Sequence, residues 1–184
     1  FSHTCICWIV GLFSHISICS MLPCKVFEPL VKVLRLADGD GPSMATMYGE
    51  IVSAKKDIML AVENSEKDYL ETTNAMDGKM GGRLDSPLHM AAYMLNPKYS
   101  YVNSSIFMDV EVVAAFMEVM ETFYYDDDNK QNVVLNMDFT KFKKKDGMFG
   151  KVTALKAISN AYFDAGKLVL NAKLLITAFF KLLA

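Results

Sequence analysis

Residues 83–101, Arg83-Leu-Asp-Ser-Pro-Leu-His-Met-Ala-Ala-Tyr-Met-Leu-Asn-Pro-Lys-Tyr-Ser-Tyr101, decide how this chain is read. Ser86 is a favoured helix N-cap, Pro87 suits the first helical position, and Leu88, Ala91, Ala92 and Leu95 recur at helical spacing. The stretch therefore predicts one short buried helix. The pair Asn96-Pro97 is expected to end it, because a proline pushes the residue before it out of the α region. Lys98 to Tyr101 are then expected to lead away as an extended aromatic tail, and Asp85, just upstream, reads as a turn residue.

Upstream, Val26, Phe27, Leu30, Val33, Leu34 and Ala37 repeat at helical spacing, with Lys32 and Arg35 on the other side. This is the pattern of an amphipathic helix with a core-facing stripe. Asp38-Gly39-Asp40-Gly41-Pro42 stops it, since the glycines tolerate positive φ and the proline cannot continue a helix. Two aspartates around a glycine also begin calcium loops, but the later carboxylate and glycine positions of such a loop are missing. Asp38, Gly39 and Asp40 therefore read as caps and turn residues. Ser43 is expected to open a second helix with Met44, Met47, Tyr48, Ile51, Ile58 and Val62 inward and Lys55, Lys56 and Asp57 in solvent. A third is expected from Glu66 to Met80, with Tyr69, Thr73, Met76 and Met80 inward.

Downstream, an Asn-Ser-Ser loop runs to Asp109, a good cap for a helix with Val112, Val113, Phe116, Met117, Met120, Phe123 and Tyr124 inward. Asp126, Asp127 and Asp128 diverge in direction rather than converge on one cation, so they read as a solvated turn stabilising the next helix N-terminus. That helix, near Asn129 to Phe142, places Val133, Val134, Met137 and Phe142 inward and ends in Lys141, Lys143, Lys144 and Lys145. Asp146-Gly147 makes a turn, and Lys151 to Ala161 can form a short helix.

At 184 residues the chain can bury the core of one domain or somewhat more. A net charge of −2 excludes a global basic footprint for nucleic acid, so any such contact must be local. The composition breaks at Cys24: residues 1–24 hold no charged side chain, yet contain all four cysteines and two of the three histidines. The apolar run Cys5 to Leu22 has nearly the length of a membrane span, but Ser14, His15, Ser17 and Ser20 interrupt it and no flanking cation orients it. Its Cys-x-Cys and His-x-x-x-Cys spacings differ from the Cys-x-x-Cys knuckles of structural zinc. The chain thus divides into an apolar, Cys-rich extension over 1–24 outside the fold, a helical region over 25–150, and apolar C-terminal helices over 151–184. Leu168 to Ala184 is apolar on nearly every side and is expected to be buried against a partner. The start at Phe1 reads as a piece of a longer product.

Catalytic motifs are missing. There is no Gly-rich phosphate loop, nucleophile elbow or His-Glu-x-x-His, and His89 is the only histidine beyond residue 15. An enzyme needs several groups converging on one reacting centre, and no such set is legible. No segment alternates as a strand would, so the expected class is mainly α.

Four blocks, in this order and spacing, carry a resemblance: Phe27-Glu-Pro-Leu-Val-Lys-Val-Leu-Arg-Leu-Ala-Asp-Gly-Asp40, Met47-Tyr-Gly-Glu50, Lys79 through Tyr101, and Phe123-Tyr-Tyr125. Over about residues 25–150 the chain resembles the plant hAT-type transposases and their domesticated relatives. The resemblance implies a helical, bundle-like insertion domain of an RNase-H-like transposase, here incomplete, with Asp38, Asp40, Asp85, Ser86, Pro87, Asn96 and Pro97 as structural motif residues. It implies DNA as a partner, contacted through Arg83, Lys98, Lys141, Lys143, Lys144 and Lys145, together with a nuclear location. A dimer, or the missing domains of the same protein, is the other implied partner.

The family's cut-and-paste chemistry uses three acidic residues with divalent metal. By the resemblance two lie upstream of residue 25 and the third lies in a Trp-rich stretch, whereas the one tryptophan here is Trp8. No catalytic or metal residue is carried over, and a divalent metal is expected only for a complete catalytic relative. The expected function is a non-catalytic transposase fragment with residual DNA-binding or protein-interaction capacity. The alternative is a membrane-associated helical interaction protein held by residues 1–24 or by the terminal helix.

Overall fold

A computed structural model describes residues 22–38, 44–62, 65–152 and 155–156. The described residues are mainly helical, with no strand among them. Most of the Cys-rich extension, the turn residues Gly39 and Asp40, the Ser43 cap, most of the 151–161 helix and the terminal segment 168–184 lie outside them. The stretch read as one helical region holds two compact units, divided between Asp85 and Ser86 except that Met44 and Ala45 group with the second.

The first unit contains helices α1 (Leu22–Ala37), α2 (Met44–Ala61) and α3 (Glu66–Met80). Its core joins Val26, Leu30 and Val33 of α1 to Met47, Ile51, Ala54 and Ile58 of α2, with Val62 and Met76. These positions recur three and four apart, so each helix buries one stripe and leaves the other wet. α1 begins at Leu22, three residues before the expected boundary, and carries Pro29 within it. Ala37 is exposed where the sequence pattern placed it inward, because it sits in the last turn of α1. Lys55 is also not simply solvated: its ammonium lies 2.8 Å from Asp77 of α3, tying two helices by an ion pair that solvent reaches from both sides. Gly82, at φ +73, makes the turn after α3, and its N–H donates to the Asp85 carboxylate at 2.7 Å. Asp85 is thus a turn residue, as its sequence context implies.

The second unit runs through α4 (Pro87–Leu95), α5 (Pro97–Ser100), a 3₁₀ turn (Ser104–Met108), α6 (Val110–Phe123), α7 (Asp128–Val133), a π turn (Val134–Asp138), α8 (Phe139–Lys144) and a second 3₁₀ turn (Gly147–Gly150). α4 packs along α6, and Ala91, Met94 and Leu95 of α4 and Val112, Ala115, Phe116, Val119 and Met120 of α6 are all buried. Ser86 takes the extended backbone of an N-cap, but its hydroxyl hydrogen-bonds His89 Nδ1 at 2.7 Å instead of a backbone N–H.

The expected extended tail after Asn96 is replaced by another helix. Asn96 is extended, as a pre-proline residue must be, and that same conformation suits an N-cap; its side chain accepts from the Lys98 N–H while Pro97 supplies the first position of α5. One Asn-Pro pair therefore ends α4 and starts α5. Asp109 caps α6 as expected, accepting from the Glu111 and Val112 N–H groups, a contribution of about 1 kcal/mol. Asp127 caps α7 through the Lys130 N–H, and its hydrogen bonds with Lys130 hold its carboxyl below the usual carboxylate range.

The buried stripes of α6 and of the helix after it differ from the expected ones. On α6, Met117 and Phe123 are exposed, and Ala115 and Val119 take their places. In the following run, Val133 and Met137 are exposed whereas Val134, Asp138 and Phe142 are buried. The π turn inserts one residue into the helical repeat, which rotates every later position and brings the acidic Asp138 to the inner side. Lys141, at 3.4 Å, is its ion-pair partner.

Candidate functional site

The feature with the most unusual local chemistry is the end of α8. Residues 141–151 carry five lysines against the single Asp146, in a protein whose net charge is −2. Below the lysines lies a ring cluster. Phe142, fully buried, packs against Tyr101 (4.9 Å between ring centroids), edge-on to Phe149 (5.4 Å) and edge-on to Phe107 (6.1 Å). Phe139 joins Phe107 (5.8 Å, edge-on) to Phe116 of α6 (4.9 Å). The Tyr101 hydroxyl donates to the Phe142 carbonyl at 3.0 Å, closing the cluster across 41 residues of chain.

α8 ends in a Schellman motif: the Asp146 N–H bonds the Lys141 carbonyl at 2.9 Å and the Lys145 N–H bonds the Phe142 carbonyl at 3.0 Å. The motif needs a left-handed residue, and here it is Lys145, at φ 55. A non-glycine side chain there costs about 1 kcal/mol. The conformation sets the Lys145 ammonium over the Tyr101 ring, 4.8 Å from its centroid, a cation–π contact that offsets part of that cost. Lys143 lies over two rings of the same cluster, 5.5 Å from Phe107 and 5.6 Å from Phe139. Gly150 is required beside this turn, because a Cβ there would run into the Lys145 carbonyl oxygen.

Of the residues implicated by resemblance, the structure brings Lys143 and Lys145 together on one ring cluster, with Lys144 exposed between them in sequence. Lys141 instead turns back to Asp138. Lys98 lies 5.8 Å above Tyr99, which stacks on Tyr93, a separate ring pair. Arg83 is exposed and belongs to the first unit. Among the described residues, Lys98, Lys143, Lys144 and Lys145 make no ion pair, whereas Lys32, Lys55, Lys67, Lys130 and Lys141 do. The lysine run was legible in the sequence; the rings beneath it were not, because Tyr101 and Phe107 lie far from it along the chain.

Burial pushes the Tyr101 phenol up to about 12. A group whose pKa is raised on folding contributes stability that is complete below its unfolded value and is lost as pH rises through the folded one. The cluster is therefore expected to weaken between pH 10 and about 12, and Tyr101→Phe should flatten that alkaline loss in a urea denaturation series. Burial also raises the pKa of Tyr93, with the nearby charge of Asp109 adding to it.

Among the described residues no group of three or more His, Cys, Asp or Glu side chains is placed to hold a metal ion. The Ser86–His89 contact joins a hydroxyl to an imidazole within one helical turn, and α4 needs no catalytic role to account for it. Among the described residues no helix is long and apolar enough to cross a membrane. No protein-family model, curated protein or solved structure matches the chain.

Proposed function

We propose that this chain is a non-catalytic helical portion of a hAT-type transposase-like protein, acting in the nucleus, that contacts DNA through the lysine-bearing end of α8. The observation that carries the reading is the pair Lys143 and Lys145, held on one ring cluster without an acidic partner among the described residues. Ring contacts limit the freedom of these two side chains, so less entropy is lost when a phosphate binds than for free surface lysines. Lys144 and Lys98 add charge, whereas Lys141 is occupied by Asp138 and contributes less. The mainly helical character is consistent with the insertion region that the resemblance implies. No catalytic step is assigned, since the resemblance carries no catalytic residue onto this chain.

Binding of this kind is expected to be weak, in the range of about 10⁻⁴–10⁻⁶ M at physiological salt, and steeply salt-dependent. The test is fluorescence anisotropy of the full chain with duplex DNA over a range of salt concentrations. The triple variant Lys143→Gln, Lys144→Gln, Lys145→Gln should lower the slope of log K against log salt by about 2–3 while leaving the helical circular dichroism unchanged. A slope equal to that of the unaltered chain would remove α8 from the interface.

A further inference from the structure

Building on the nucleic-acid reading above, we infer that this surface recognises the sugar-phosphate backbone alone and offers no ring on which a base can stack. Proteins that hold single strands by their bases present exposed ring faces beside a positive groove. Here the positive charge is present but the rings are already engaged. Phe142 is fully buried and Phe107 nearly so. Tyr101 has Phe142 packed against it and Lys145 over its ring, and its hydroxyl is turned inward to the Phe142 carbonyl. Phe139 is shared among Phe116, Phe107 and Lys143.

The exposed rings among the described residues, Phe123 and Tyr125, lie directly before Asp126, Asp127 and Asp128, whose charge repels a phosphate backbone. The lysines thus cover the rings they rest on, and what remains for a ligand is their ammonium charge. A backbone reader of this design is indifferent to sequence, and it neither uses nor excludes the ribose 2′-hydroxyl, so DNA and RNA strands of equal length are equivalent ligands.

The experiment titrates the full chain, at one low salt concentration, with three strands of about 20 nucleotides: oligothymidine, an abasic deoxyribose-phosphate strand and oligouridine. Equal affinity for all three within about threefold is the expected result, since the shared phosphates supply the binding. A base stacked on a ring contributes about 1–3 kcal/mol, so oligothymidine binding tenfold or more tighter than the abasic strand would overturn the inference while leaving nucleic-acid binding standing. A tenfold preference for oligouridine over oligothymidine would overturn it as well. Failure of all three strands to bind would overturn the inference, and failure of duplex DNA as well would defeat the underlying nucleic-acid reading.

Discussion

Phe142→Ala is expected to destabilise the second unit by about 3–5 kcal/mol. The side chain is fully buried and is the ring against which Tyr101, Phe107 and Phe149 all pack, so its removal leaves a cavity bounded by parts of the chain that are far apart in sequence. The backbone carbonyl of residue 142 would still accept from Tyr101 and from the Lys145 N–H, which holds the walls of that cavity apart and limits relaxation. Urea denaturation followed by tyrosine fluorescence measures the loss. Met137→Ala, five residues earlier on an exposed position, serves as the control and should change stability by no more than about 0.5 kcal/mol. If Met137→Ala were the more damaging of the two, the register introduced by the π turn would be wrong. Phe142→Ala should also weaken nucleic-acid binding, since Lys143 and Lys145 lose the ring cluster that orders them.

Ile58→Ala is expected to cost the first unit about 2–5 kcal/mol, the range for removing a large aliphatic side chain from a close-packed site. Ile58 is wholly inaccessible to solvent, whereas Leu60, two residues on in α2, is 69% exposed. Leu60→Ala should therefore be nearly silent, within about 0.5 kcal/mol. The comparison holds helix and residue size nearly constant and changes burial, so it isolates packing from helix propensity. Hydrogen exchange of the amides of α2 and α3 reports the effect locally. Equal losses for the two variants would contradict the side of α2 assigned to the core.

The local punctuation of this fold was written in the sequence. Asp109 caps the helix it was expected to cap, and of the three acids expected to stabilise the next helix N-terminus Asp127 is the one that caps it, because a capping side chain reaches only two or three residues along its own chain. The α1 stripe of Val26, Leu30 and Val33 was legible for a similar reason, since helical periodicity is a property of one segment. Asn96-Pro97 was half legible: both residues were recognised, but a signal that ends one helix also begins another, and the choice depended on what the next four residues could pack against.

Tertiary structure decided the rest, including the features that matter most for the candidate site. The π turn moved Met137 outward and Asp138 inward, an outcome that local propensity does not encode. The contact that sets the Lys145 ammonium over Tyr101 joins residues far apart along the chain, alongside a hydroxyl and a carbonyl 41 residues apart that bond across the same cluster. By itself the sequence determined a mainly helical chain with a run of lysines at one helix end. Only the tertiary structure decided which two of those lysines rest on the rings of Tyr101 and Phe107, because side chains distant along the chain become neighbours only when the core closes.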